Sequence, residues 1–87
     1  MSDVAWAKGG EARVLAVDDG RVRLASTTPA APGAPLEGAL AGGARVKVKV
    51  ARCRREGDVF VVEGRLVDAT RDLRAELARL AAGHSEA

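Results

Sequence analysis

Side chains that could bind an anion are concentrated between residues 45 and 55, in the sequence RVKVKVARCRR. This stretch carries six positive charges and no acidic residue, whereas the whole chain has 14 Lys+Arg, 12 Asp+Glu and a net charge of +2. The remainder therefore holds eight basic and twelve acidic residues. Lysine and arginine bind phosphates and carboxylates, so the stretch predicts a binding surface and no catalytic chemistry. Its candidate binding residues are Arg45, Lys47, Lys49, Arg52, Arg54 and Arg55.

The first half of this stretch has the pattern of a β-strand. Valines and cations alternate from Arg45 to Val50, and a period of two places the valines on one face and the cations on the other. The cations are then available to phosphates or to an acidic protein surface. A second interpretation stays open, in which this is a solvated strand face whose lysines discourage edge-to-edge aggregation.

The second half of the stretch breaks the alternation. Strict alternation would place Arg52 and Arg54 on the valine face, where a closed core would reject them. We therefore expect either a bulge near Cys53 that resets the register or arginines that emerge beyond the rim of the barrel. Either arrangement gathers Arg52, Arg54 and Arg55 near a hairpin tip, which makes this cluster the favoured site for a partner or an anion. The turn Glu56-Gly57-Asp58 follows directly, and its carboxylates could neutralise the cluster.

The chain shows no pattern that supports catalysis or metal binding. No nucleophile–base pair, phosphate-cradling loop or carboxylate pair is recognisable, so the chain is predicted not to be an enzyme. Its one cysteine and one histidine, Cys53 and His84, form no metal-ligand cluster, and no cofactor is predicted. No cationic leader precedes an apolar run, and no apolar run approaches the roughly 18 residues that span a membrane. We therefore expect a cytoplasmic protein.

Turn signals divide the rest of the chain into short strands followed by one helix. Asp18-Asp19-Gly20 predicts a tight hairpin turn, after which Arg21 and Arg23 point outward from the next strand. The proline-rich segment 27–35 is predicted to be a connection, because proline cannot donate to a strand ladder. After residue 70, leucines at i, i+4 and i+7 predict a helix.

These elements predict a mostly β single domain over residues 1–87. It comprises a small antiparallel β-barrel of about five to six strands over about 12–67, with a C-terminal α-helix over about 70–82 that covers one open end. The segment Val4–Lys8 before the barrel shows no clear strand pattern. Trp6 within it is expected to pack on the barrel, with an exposed anchor for a partner or a second copy as the alternative.

The order of these elements resembles that of a PilZ domain. The matching residues are Ala16–Leu24 (AVDDGRVRL), Pro32–Pro35 (PGAP) and Glu63–Val67 (EGRLV). PilZ domains are bacterial cytoplasmic receptors for cyclic di-GMP that control motility and surface behaviour. Their ligand contacts come from an Arg-x-x-x-Arg segment ahead of the barrel and an Asp/Asn-x-Ser-x-x-Gly segment on an early strand. Asp18 and Gly20 match the second segment in position, whereas its serine and the arginine pair have no counterpart here.

The resemblance implies a stand-alone PilZ-like regulatory or adaptor module that acts through contacts with a protein partner, and a homo-oligomer is a further expectation. A second hypothesis is a cyclic di-GMP receptor that uses the arginines of the hairpin tip, or Arg21 and Arg23, in place of the missing pair. A third is a small-barrel nucleic-acid-binding protein that uses the basic strand, although such surfaces normally interleave aromatic residues for base stacking.

Overall fold

The computed structural model describes the backbone of residues 3–85 and the side chains of residues 3–82. Within this part of the chain, six strands form one closed antiparallel barrel, and a single helix follows them. The strands are β1 (Val4–Trp6), β2 (Glu11–Asp18), β3 (Arg21–Ser26), β4 (Pro35–Leu40), β5 (Arg45–Glu56) and β6 (Val59–Leu66), and the helix is α1 (Arg71–Ser85). The order around the barrel is β1-β2-β3-β6-β5-β4. The predicted fold class is confirmed.

The barrel begins earlier in the chain than the sequence pattern predicts. β1 lies in the segment without a clear strand pattern, and it pairs with β2 on one side and with β4 on the other. Its three residues are too few to show a periodic pattern, although they close the barrel. α1 begins after Thr70, whose Oγ1 accepts a hydrogen bond from the Leu73 N–H at 3.1 Å, and it extends to Ser85 instead of ending near residue 82.

The core is filled by inward-facing side chains from all six of the described strands and from one face of α1. The buried apolar residues are Val4, Trp6, Ala12, Val14, Val22, Leu24, Leu40, Val46, Val48, Val50, Val61, Val62, Leu77 and Ala81. α1 packs mainly against β2, and Leu77 is completely buried, while Leu73 and Leu80 pack against the core with part of their surface exposed. The predicted leucine stripe is therefore the face through which α1 joins the core.

A hydrogen bond between side chains holds β1 in the barrel. Trp6 is buried, and its indole N–H donates to the Oγ of Ser26 on β3 at 3.0 Å. Ser26 is completely buried, and its hydroxyl donates to the Thr28 carbonyl oxygen at 2.7 Å. The expectation that Trp6 packs on the barrel is confirmed. Because an unpartnered indole N–H would be costly to bury, Ser26 allows the largest side chain in the protein to be placed inside.

A β-bulge in β5 keeps the arginines of the basic stretch off the face that carries the valines. Val50 pairs with Gly64 of β6 and Arg52 pairs with Glu63, so Ala51 is an extra residue in β5. Val50 thus remains inside, whereas Arg52 points outward. The predicted bulge is present, and it lies just before Cys53, which packs partly buried against the core.

Gly64 is required where β5 and β6 approach each other at this bulge. It is buried, and a Cβ atom added to it would lie 2.3 Å from the Lys49 carbonyl oxygen and 2.8 Å from Cγ1 of Val48. No side chain fits at that distance from a backbone oxygen, so the two strands could not keep their spacing. Glycine at this position therefore determines how β5 and β6 are joined.

Replacing Gly64 by alanine should strain this junction. We expect Gly64→Ala to lower the free energy of unfolding by about 1–3 kcal/mol, the usual cost of forcing extra atoms into a packed interior. Urea denaturation followed by the fluorescence of Trp6 measures this change. Gly42→Ala is the matched control, because a Cβ at Gly42 would meet nothing within 4 Å. Equal stability of the two variants would show that the close approach at Gly64 is unimportant.

Candidate anion-binding surface

Three cations form a row across the outer surface of the barrel. In the strand register, Arg21 of β3 lies opposite Arg65 of β6, and Arg65 lies opposite Lys49 of β5. All three side chains are exposed. Successive residues of a strand point to opposite faces, and each of these three residues lies next to an inward-facing position in its own strand. Adjacent strands lie about 4.8 Å apart, so the row extends for roughly 10 Å. We call Arg21, Arg65 and Lys49 the cationic row.

The cationic row has no counter-ion in the part of the chain that the structure describes. None of its three members forms a salt bridge with a carboxylate among residues 3–82. Like charges directly opposite each other destabilise a sheet, so the arrangement opposes folding. Departures of this kind from the rules of stable structure are typical of functional sites.

The next row on the same surface contains a carboxylate between two arginines. Glu63 of β6 lies between Arg23 of β3 and Arg52 of β5 in the strand register. The Nε and Nη2 atoms of Arg23 each lie 2.9 Å from Oε2 of Glu63, whereas Nε of Arg52 lies 4.0 Å from Oε1. Glu63 thus forms a close pair with Arg23 and a longer contact with Arg52. We call these three residues the Glu63 row.

Both rows meet in an open groove of about 570 Å³. Its lining comprises Ala16, Asp18, Arg21, Val22, Arg23, Ala51, Arg52, Glu63, Gly64 and Arg65. The volume is in the range of small-ligand sites, but small side chains and charged groups make up the lining, and no aromatic ring is among them. Lys49 extends the cationic row beyond this lining. The groove is therefore suited to charged groups and offers no aromatic ring on which a nucleobase would stack.

The arginines predicted to cluster at the hairpin tip are partly neutralised within their own hairpin. The guanidinium of Arg54 pairs with the carboxylate of Glu56, and Nε of Arg55 donates to the Gly57 carbonyl oxygen at 3.3 Å. Arg52 lies in the groove, next to Glu63. Arg52 therefore belongs to the groove, whereas Arg54 and Arg55 lie at the hairpin tip. The groove is a better candidate site than the hairpin tip.

The remaining predicted residues lie around the cationic row. Arg45 and Lys47 are exposed on β5, and Lys47 lies opposite Glu37 of β4. Asp18 lies opposite Arg21 across the first hairpin and lines the groove. Gly20 occupies the turn of that hairpin with a φ of 84°, a conformation that favours glycine.

Arg65 and Glu63 are site residues that the sequence analysis does not identify. Their outward orientation follows from the strand pattern of β6, in which Gly64 occupies the inward position between them. Their partners depend on the register with β3 and β5, which the bulge at Ala51 sets. The sequence pattern that could have identified them is a glutamate and an arginine on either side of a glycine within a predicted strand.

Of the ion pairs outside the groove, one lies on α1. The guanidinium of Arg79 hydrogen-bonds to Glu76 and thereby lowers the pKa of that carboxyl. The side chain of His84 lies outside the described residues. Among the residues that the structure does describe, no group of His, Cys, Asp or Glu side chains is placed to hold a metal ion. In the same residues, no helix has the length and apolar character needed to cross a membrane.

Comparisons of the chain with protein-family models, with curated proteins and with solved structures found no match. The fold and the surface together define a small closed β-barrel that carries a cationic groove.

Removing one charge from the cationic row should stabilise the fold. We expect Arg65→Gln to raise the free energy of unfolding by about 0.2–1 kcal/mol at low salt, because Arg65 lies between two like charges. Urea denaturation at low and high salt measures the gain, which screening should remove. Arg74→Gln, which removes an equal charge from α1, is the control. A loss of stability in Arg65→Gln would contradict the proposed repulsion.

Proposed function

We propose that this chain is a non-catalytic bacterial regulatory or adaptor module of the PilZ type, which binds an acidic surface of a protein partner in its groove. The observation that carries this proposal is the cationic row, where Arg21, Arg65 and Lys49 lie in register and form no salt bridge with a carboxylate among residues 3–82. A partner's carboxylates would relieve the repulsion in the row. The proposed setting is the cytoplasm, in the control of motility or surface behaviour.

The element order supports the PilZ part of the proposal. After the short strand β1 come a hairpin with an Asp-Gly turn and a proline-rich connection, and two long strands precede a C-terminal helix. The Glu63–Val67 segment, part of the resemblance, contributes Glu63 and Arg65 to the groove. In this proposal, the module has exchanged a nucleotide site for a protein-binding surface.

The chemistry of the groove favours carboxylates. Guanidinium groups bind carboxylates through paired hydrogen bonds, and Arg21 and Arg65 are both exposed in the groove. The two aromatic side chains of the chain are elsewhere: Trp6 is buried in the core, and Phe60 lies outside the lining. A partner whose acidic residues protrude from its surface matches this arrangement better than one whose bases need stacking platforms.

A cyclic di-GMP receptor is the second candidate function. The residues that line the groove favour the groove over the hairpin tip as the site for this ligand. Arg21 and Arg23, which the sequence analysis offers as substitutes for the missing arginines, both line the groove. Arg65 adds a third guanidinium for phosphate oxygens. Asp18 supplies a carboxylate that can accept hydrogen bonds from the N–H groups of guanine.

Titration with defined anions distinguishes these functions. The probes are a short peptide with a central Asp-Glu-Asp triplet and cyclic di-GMP, each added to the purified protein at moderate salt. We expect the peptide to bind, and the Arg21→Gln/Arg65→Gln double variant to weaken it by about tenfold, since two exposed ion pairs contribute up to roughly 1 kcal/mol each. The Arg71→Gln/Arg74→Gln double variant removes the same charge from α1 and should bind like the wild type.

The other outcomes are equally decisive. Micromolar binding of cyclic di-GMP without binding of the peptide would establish the receptor function instead. Equal losses in the two double variants would show that net charge, and not the groove, attracts the peptide. Binding of neither probe at concentrations well above micromolar would contradict the proposed function.

A further inference from the structure

We infer that Glu63 is a specificity-determining residue, whose carboxylate restricts the groove to compact anionic partners and excludes extended polyanions such as single-stranded nucleic acid. This inference rests on the proposed function, because it concerns the same groove. It accounts for a feature that the proposed function leaves unexplained, namely an acidic residue at the centre of a cationic surface.

The position of Glu63 makes it the internal counter-ion of the groove. It is the least exposed member of its row, since 33% of its side chain is accessible, against 56% for Arg23 and 77% for Arg52. Its two carboxylate oxygens face different arginines. An incoming anion that approached Arg23 or Arg52 would have to compete with a carboxylate that is already in place.

Two other carboxylates lie near the cationic row. Asp18 lies opposite Arg21 at one end of the row. On the far side of β5, Glu37 lies opposite Lys47, the next outward residue after Lys49. Lys47 and Arg45 continue the exposed cations of Lys49 along β5, and two carboxylates lie beside this line, Glu37 opposite Lys47 and Glu63 opposite Arg52.

The cationic row and the carboxylates near it determine the kind of anion that the surface accepts. The row extends for roughly 10 Å across three strands, which is enough for a few acidic side chains of a protein partner. A nucleic acid strand carries a phosphate at every nucleotide, and its binding requires a positively charged groove that follows the backbone. A strand that followed the outward cations of β5 from Arg45 to Arg52 would bring its phosphates close to the carboxylates of Glu37 and Glu63.

Replacing Glu63 by glutamine tests the inference with almost no change in shape. Glu63→Gln frees Arg23 and Arg52 to contact phosphates, and the probe is oligothymidine of about 15 nucleotides. We expect its affinity to rise by about tenfold at low salt. The dependence of log K on log salt should steepen by about 1.4, or roughly 0.7 for each arginine that gains a phosphate contact.

Glu76→Gln is the matched control, because it removes a carboxylate from the Arg79 ion pair on α1 and changes the net charge equally. Its affinity for oligothymidine should stay within about twofold of the wild type, and its salt dependence should not change. The acidic peptide should gain less affinity from Glu63→Gln than oligothymidine does, because a compact peptide on the cationic row does not need Arg23 or Arg52. Glu63→Thr, which suits an exposed strand position, provides a second neutral variant should glutamine impair folding.

The results separate the inference from the proposed function. Equal oligothymidine affinity and salt dependence in Glu63→Gln and Glu76→Gln would overturn the inference, even when the wild type binds the peptide. Tight binding of oligothymidine by the wild type would also overturn it. Failure of the wild type to bind the peptide concerns the proposed function alone, because the oligothymidine comparison does not depend on that peptide.

Discussion

The close approach of β5 and β6 at Gly64 is the constraint on which both the core and the surface depend. The bulge at Ala51 allows Val50 to remain in the core while Arg52 turns outward. A side chain at position 64 would collide with the backbone of Lys49, so this junction requires glycine. The same junction places Lys49 opposite Arg65, and the pairing of β6 with β3 then brings Arg21 into line. The geometry of the core thereby determines the arrangement of charges on the surface.

Closure of the barrel depends on an element that has little structure of its own. β1 contributes three residues, and it is fixed by ladders on both sides and by the hydrogen bond from Trp6 to Ser26. Gly38 of β4 allows this packing, since a Cβ there would lie 2.6 Å from the Ala5 carbonyl oxygen and 2.8 Å from the Trp6 ring. Closure leaves no free strand edge on the described barrel, so its outer surface is available for charge without the risk of edge pairing.

Local patterns were sufficient to predict most of the fold. The alternation over Arg45–Val50, the Asp-Gly turn before Arg21 and the leucine spacing of the helix each report one element, and each element is present. β1 could not be predicted, because its stability comes from two neighbouring strands and not from its own sequence. The conflict between arginines and a closed core predicted either a bulge or arginines beyond the rim of the barrel, because burying them would be costly, and the structure contains the bulge.

The candidate site was harder to predict, because it is a property of strand register. The cations of β5 were identified from composition, but the sequence analysis favoured the cluster of Arg52, Arg54 and Arg55. The structure pairs Arg54 with Glu56 and leaves the cationic row without such a partner among residues 3–82. Which charges remain uncompensated depends on which residues lie opposite each other across three strands. No single segment contains that information.

The most direct test of the central claim is to locate bound anions on the barrel by nuclear magnetic resonance. Uniformly ¹⁵N-labelled protein would be titrated with the short acidic peptide, and the amide shifts would be followed residue by residue. The largest changes are predicted at Arg21, Lys49 and Arg65, with smaller changes at the hairpin tip. Changes concentrated at residues 54–57, or spread evenly over all basic residues, would contradict the claim that the cationic row is the binding site.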